Sequence, residues 1–164
     1  MNIKIIYTIA GIIVLGLILI IPITIIGSSQ IEKYSYYKAE SVNLSKENLN
    51  GIKIDEDFEK IKKNIKDLND KSDNWFTYKD GTRVKVSKKN IVNSVSTESN
   101  NTVTQKKVGL NSSFKEITSL YGEKYYKREE QSFEIIGYPD KKLKINLEFW
   151  FLNDKLEKIL LVKK

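Results

Sequence analysis

A chain of 164 residues with 28 Lys and Arg against 21 Asp and Glu carries a formal net charge of +7, and it contains neither His nor Cys. Those two absences exclude His-based catalytic triads, thiol nucleophiles, disulfides and the usual zinc ligand sets. All but one of the basic residues lie beyond Gly27, and they are interleaved with acids, as in Glu59-Lys60-Ile61-Lys62-Lys63 and Lys127-Arg128-Glu129-Glu130. That pattern reads as a solvated mixed-charge surface rather than a polyanion track, and it disfavours nucleic acid as a partner.

Residues 1–4 form a short N-terminal tail. Residues 5–27 are uncharged and rich in Ile. As a helix rising about 1.5 Å per residue, the run from Ile5 to Ile26 reaches roughly 33 Å, enough for a hydrocarbon core of about 30 Å. It is longer than the apolar region of a cleavable signal peptide, and Gly27, Ser28 and Ser29 make a poor cleavage site. The expectation is therefore an uncleaved signal anchor, a single integral span of a cell membrane. Gly11 and Gly16 are five apart, which is not a small-xxx-small spacing, and no ionisable side chain falls inside the run. A passive tether is expected rather than a transport element. Lys4 on one side against Lys33, Lys38 and Lys46 on the other does not favour an outward C-terminus. The position of the run at the extreme N-terminus, with the Ser, Asn, Thr and Tyr content beyond it, nevertheless points to an extracytoplasmic C-terminal domain.

Residues 28–50 read as a juxtamembrane stalk with Tyr34, Tyr36 and Tyr37 close to the membrane exit. A first α+β unit is expected over residues 51–97. Asp55, Glu56 and Asp57 precede Phe58, Ile61, Ile65 and Leu68, whose spacing predicts a helix with one apolar face and acids in its first turn. Strand-like runs around Trp75 to Lys79 and Thr82 to Ser87 flank Asp80-Gly81, a tight hairpin signal, and a third run follows Ile91. Residues 98–107 are a polar linker. A second unit over residues 108–164 opens with Ser113 and Glu116 in capping-box spacing, then Phe114, Ile117 and Leu120 as the stripe of a short helix. Strands follow from Ser132 to Tyr138, Lys142 to Leu152 and Leu156 to Val162, separated by Pro139-Asp140 and Asn153-Asp154.

Both units thus run helix, strand, strand, strand. Phe58 overlays Phe114, Ile61 overlays Ile117, Tyr78 overlays Tyr138 and Asp80 overlays Asp140. Each unit has about 50 residues, too few for a comfortable core of its own. The expected fold class is α+β: an N-terminal transmembrane helix followed by two tandem helix-plus-antiparallel-strand units packed as one domain.

Gly109-Leu110, Ile117, Leu120 and Tyr121-Gly122, followed by antiparallel strands, resemble the opening of the repeat in beta-lactamase-inhibitor-protein-like domains and small outer-membrane-assembly lipoprotein domains. The resemblance covers residues 108–162. Glu123 stands where a proline commonly follows the second glycine, and Lys53 stands in the first unit where the second has Gly109. It implies a non-enzymatic binding module that works through an open sheet face.

Catalytic and metal motifs do not assemble. Ser35 with Lys38, Ser72-Asp73-Asn74 and Lys79-Asp80-Gly81 imitate the elements of penicillin-binding enzymes in order, but the second and third are almost adjacent and Asp80 replaces the threonine. Asp70, Ser72 and Asn74 have the rhythm of a calcium loop, yet Trp75 stands where glycine is required and Gly81 where the bidentate glutamate belongs. No catalytic residue, metal or cofactor is expected.

The strand around Ile145 to Leu152 offers the most. Alternation puts Ile145, Leu147, Phe149 and Phe151 on one face and Asn146, Glu148 and Trp150 on the other. Trp150 either packs on a neighbouring strand or anchors a partner, as tryptophan does at binding hot spots. Asn146 and Glu148 flank it, and Trp75 is the equivalent in the first unit. The function expected is recognition of a protein or an anionic envelope component. The alternative is a structural subunit of an envelope-spanning secretion or conjugation assembly.

Overall fold

The computed structural model describes residues 30–63 and 68–164. The chain divides into two compact units, Met1–Tyr34 and Ser35–Lys164. The first lies almost wholly outside the described residues, and the expected span over residues 5–27 lies there entirely. Among the described residues no helix is long and apolar enough to cross a membrane.

Ser35–Lys164 is organised on one antiparallel sheet of eight strands. These are β1 (Leu68–Ser72), β2 (Trp75–Tyr78), β3 (Arg83–Val86), β4 (Val92–Thr97), β5 (Tyr126–Glu130), β6 (Phe133–Asp140), β7 (Ile145–Leu152) and β8 (Lys155–Lys163). Their order across the sheet is β1-β2-β3-β4-β8-β7-β6-β5. This corrects the expected fold class. Two tandem helix-and-strand units give way, among the described residues, to a continuous sheet with short helices at Phe58–Ile61 and Phe114–Tyr121. No described helix supplies the single-pass, signal-anchored span that was expected, and residues 5–27 themselves lie outside the described residues.

The sheet is continuous because β4 and β8 pair, with Val95 opposite Leu161 and Thr97 opposite Ile159. Pairing them leaves β1 and β5 as the edges, and β5 is Tyr-Lys-Arg-Glu-Glu, a charge-rich sequence that resists edge-to-edge association. Both edge strands were absent from the predicted pattern. The first predicted helix is cut to one turn: the Lys62 N–H closes on the Phe58 carbonyl, and by Leu68 the chain is already in β1. Asp73, at φ 51°, turns β1 back so that Lys71 faces Phe76 and Ser72 faces Trp75. Ladder pairing therefore replaces the later helical turns.

One face of the sheet holds the core. Val84, Val95, Ile136, Tyr138, Leu147, Phe149, Ile159 and Leu161 are fully or almost fully buried there. The Phe114–Tyr121 helix covers part of it. Ser113 and Glu116 cap each other in a reciprocal box, and Gly122, at φ 88°, ends the helix with its N–H on Thr118. Ile117 and Tyr121 face inward, while Leu120, predicted in the stripe, is 46% exposed. Rotation of 100° per residue puts Phe114, Ile117, Thr118 and Tyr121 on one side and leaves Leu120 off it.

Residues 41–54 complete the cover. Leu44, Leu49, Ile52 and Ile54 are buried in the core. Asp140, predicted in a turn, is instead the buried end of β6, and its carboxylate accepts from the Leu44 N–H and the Leu143 N–H, both at 2.9 Å. Glu47 is a second buried anchor, accepting from the Tyr121 hydroxyl at 2.8 Å and the Gln105 N–H at 2.9 Å. Thr102 and Thr104, in the linker expected over residues 98–107, are likewise buried, as is Val108 at the start of the expected second unit.

Candidate functional site

The face of the sheet turned away from the core is read from the pairing register. One row runs Thr77, Arg83, Ser96, Leu160, Glu148, Gly137, Tyr126. A neighbouring row runs Trp75, Lys85, Ser94, Val162, Asn146, Pro139, and a third runs Lys158, Trp150, Ile135, Arg128. The four residues singled out from sequence therefore share this face. Asn146, Glu148 and Trp150 are brought together on β7, whereas Trp75 stands on β2, four strands away.

Period-two alternation fixes the face of a residue but not what lies over it. Glu148 and Asn146 are 0% exposed and Arg128 only 8%. Their cover comes from β5. The Tyr126 ring lies directly over Gly137, so closely that a Cβ there would stand 2.2 Å from the ring. From that position its hydroxyl donates to Glu148 Oε1 at 2.6 Å. Asn146 Nδ2 donates to the same carboxylate oxygen at 2.9 Å and to the Tyr126 oxygen at 2.7 Å. The other oxygen, Oε2, accepts from the Arg128 guanidinium at 3.0 Å and from the Trp150 indole N–H at 3.0 Å. Arg128 also pairs with Glu130, its neighbour along β5.

Glu148 thus meets four side-chain donors at 2.6–3.0 Å, two of them from the edge strand. Burial, and then the adjacent Glu148 carboxylate, hold the Tyr126 hydroxyl far above the ordinary phenol range. Burial opposes the charge on Arg128, but Glu148 and Glu130 more than offset it and raise its pKa. Among the described residues Arg128 Nε and Asn146 Oδ1 are buried without a hydrogen-bond partner.

Trp150 sits on this base and is only partly buried. Arg128 lies 5.2 Å and Lys158 4.6 Å from its ring centre, and Phe133 meets it edge-on at 5.7 Å. Trp75 has a parallel environment, with Arg83 at 4.8 Å and Lys85 at 5.4 Å. Between the two tryptophans the floor is Ser94 and Ser96 on β4 and Leu160 and Val162 on β8. The contributions of Tyr126 and Arg128 were missed from sequence, although period two in Tyr126, Lys127, Arg128 places a hydroxyl and a guanidinium on one face, both able to donate to a carboxylate. Asp70 and Ser72 lie in β1 and Asn74 in the turn after it, and among the described residues no three carboxylates gather as metal ligands. Comparison of the chain with protein-family models, with curated proteins and with solved structures finds no match.

Proposed function

We propose that this is a non-catalytic binding module that recognises a protein partner through the sheet face carrying Trp150 and Trp75. The observation that carries the reading is the way Trp150 is held. Its indole N–H is fixed by a buried carboxylate and its ring is bracketed by Arg128, Lys158 and Phe133, yet the residue stays partly open to solvent. An aromatic side chain locked in one orientation at the surface loses little entropy when it is buried by a partner, which is the property of an interface hot spot. The reading also carries forward the resemblance of residues 108–162 to beta-lactamase-inhibitor-protein-like domains, whose use of an open sheet face it adopts. The titratable groups of the cluster are engaged with one another, so their arrangement serves positioning better than proton transfer.

A photo-crosslinking residue at position 158 identifies what covers the face in intact cells, and titration of the captured protein then measures the contact. Trp150→Ala is expected to weaken binding by about 30-fold or more, the loss typical of a hot spot. Because this substitution also removes a donor from Glu148, Trp75→Ala is run beside it. Unchanged affinity in both variants, or global unfolding of Trp150→Ala, overturns the proposal.

A further inference from the structure

Resting on that reading, we infer that the partner segment seated between Trp75 and Trp150 is acidic, its carboxylates meeting Arg83, Lys85 and Lys158 while its apolar side chains meet the two indoles. On this face the cations are Arg83, Lys85, Arg128 and Lys158; the carboxylates are Glu148 and, out on the two edge strands, Asp70 beside Thr77 and Glu130, which pairs with Arg128. Glu148 is 0% exposed and its charge is already met by Arg128, with Lys164 at 4.0 Å. Arg83 and Lys85 are exposed, and Lys158 is partly so. Among the described residues these three make ring contacts but no salt bridge. The accessible charge between the tryptophans is therefore positive, although acids and bases alternate over most of the chain.

The dimensions suit a single partner. Trp75 and Asn146 share a row, and Trp150 is four residues further along β7. Four strand spacings of about 4.8 Å and four rises of about 3.4 Å put the tryptophans roughly 23 Å apart. An ordinary interface of about 800 Å² per partner is some 32 Å across and covers both. The floor carries no charge: Ser94 and Ser96 are buried, and the partly exposed Leu160 and Val162 offer apolar contact to the side chains of a folded or extended peptide. A nucleic-acid backbone would instead call for a continuous line of cations. Each exposed cation sits over an indole rather than in such a line. A carboxylate approaching the cation leaves the ring beneath in apolar contact with the neighbouring residue of the partner.

The test is a selection from a random peptide library of about 12 residues against the immobilised full-length chain, read on fluorescein-labelled peptides, with a polythymidine oligonucleotide and heparin as competing probes. Enriched peptides should combine Asp or Glu with aromatic or aliphatic residues. Their affinity should fall at least about 10-fold in Arg83→Gln/Lys85→Gln/Lys158→Gln, and comparably when ionic strength rises from about 0.05 M to about 0.5 M. Trp75→Ala should abolish the same binding, and urea midpoints confirm that each variant is folded. Neutral or basic peptides whose binding still requires Trp75 or Trp150 overturn the acidic inference and leave the binding face standing. No tryptophan-dependent peptide at all overturns the face itself. Tryptophan-dependent binding of polythymidine or heparin that exceeds every peptide overturns the choice of a protein partner.

Discussion

Replacing Glu148 with Gln tests whether the cluster beneath Trp150 is an ion pair on which the fold depends. The carboxylate is fully buried and accepts from Tyr126 at 2.6 Å, Asn146 at 2.9 Å, and Arg128 and Trp150 at 3.0 Å. Gln keeps one acceptor oxygen and turns an amide donor towards the other pair, so two of these contacts become donor against donor. Arg128 is then left with Glu130, whose side chain is 32% exposed and a weaker counter-charge. Removing one member of a buried pair costs about 3–5 kcal/mol. That is a large part of the roughly 5–15 kcal/mol by which a domain is stable. With a urea slope near 2 kcal/mol/M, the midpoint should fall by about 1.5–2.5 M. Arg128→Met should cost a similar amount or somewhat less, since it leaves Glu148 only the Lys164 ammonium at 4.0 Å as counter-charge. The double variant should cost less than the sum of the two by about 2 kcal/mol or more, because neither charge then remains to be stranded. Single losses below about 1 kcal/mol, the range of surface pairs, or strictly additive losses refute the reasoning.

Two further outcomes follow from the same cluster and from the core beneath the helix. Gly137→Ala brings a methyl to 2.2 Å from the Tyr126 ring, so the ring must leave its place over the strand. A loss of about 1–3 kcal/mol in urea is expected, with a change in Trp150 fluorescence, and a neutral result would show that the ring does not lie there. Tyr121 and Tyr126 both have pKa values raised by burial first, and then by Glu47 and Glu148 respectively. Their folded values exceed the unfolded value of about 10, so the protonated forms favour the fold fully below pH ~10 and that contribution is lost as pH rises beyond it, at up to about 1.4 kcal/mol per pH unit for each. Tyrosinate absorbance from these residues should therefore grow together with loss of the sheet's circular dichroism. Their titration near pH 10 in an intact fold contradicts the burial assigned to them.

What sequence could and could not show is clearest on β7 and its neighbours. Alternation from Ile145 to Phe151 separates core from opposite face correctly, because period two is a property of the strand itself. It says nothing about Glu148 being covered, since the cover comes from a strand 20 residues away in sequence. That strand, Tyr-Lys-Arg-Glu-Glu, has no apolar alternation, so its pattern resembles a solvated loop. Leu68–Ser72 hides in the same way: Leu68 sits at helical spacing from Phe58 and Ile61, and only the turn at Asp73 redirects it. Local propensity was overridden in both cases by ladder pairing at a sheet edge, a non-local contact that no window of sequence contains. Asp140 shows the converse, where a residue typical of turns becomes a buried anchor because two backbone N–H groups converge on it.

The edge strand β5 joins two requirements that usually compete. Its alternating charges make it a poor template for another strand, which protects the sheet from association at that edge. The same alternation points Tyr126, Arg128 and Glu130 across the outer face, where Arg128 neutralises Glu148 and lies over Trp150. Without Arg128 on this edge, Glu148 would lose its guanidinium partner and Trp150 the Arg128 contact with its ring. Orientation of the candidate anchor therefore depends on an edge strand that touches the core little. Two buried polar atoms left without partners, Arg128 Nε and Asn146 Oδ1, are the cost of crowding so many groups around one carboxylate. A face built only for stability would have filled these positions with apolar side chains, as the opposite face of the same strand does with Leu147 and Phe149.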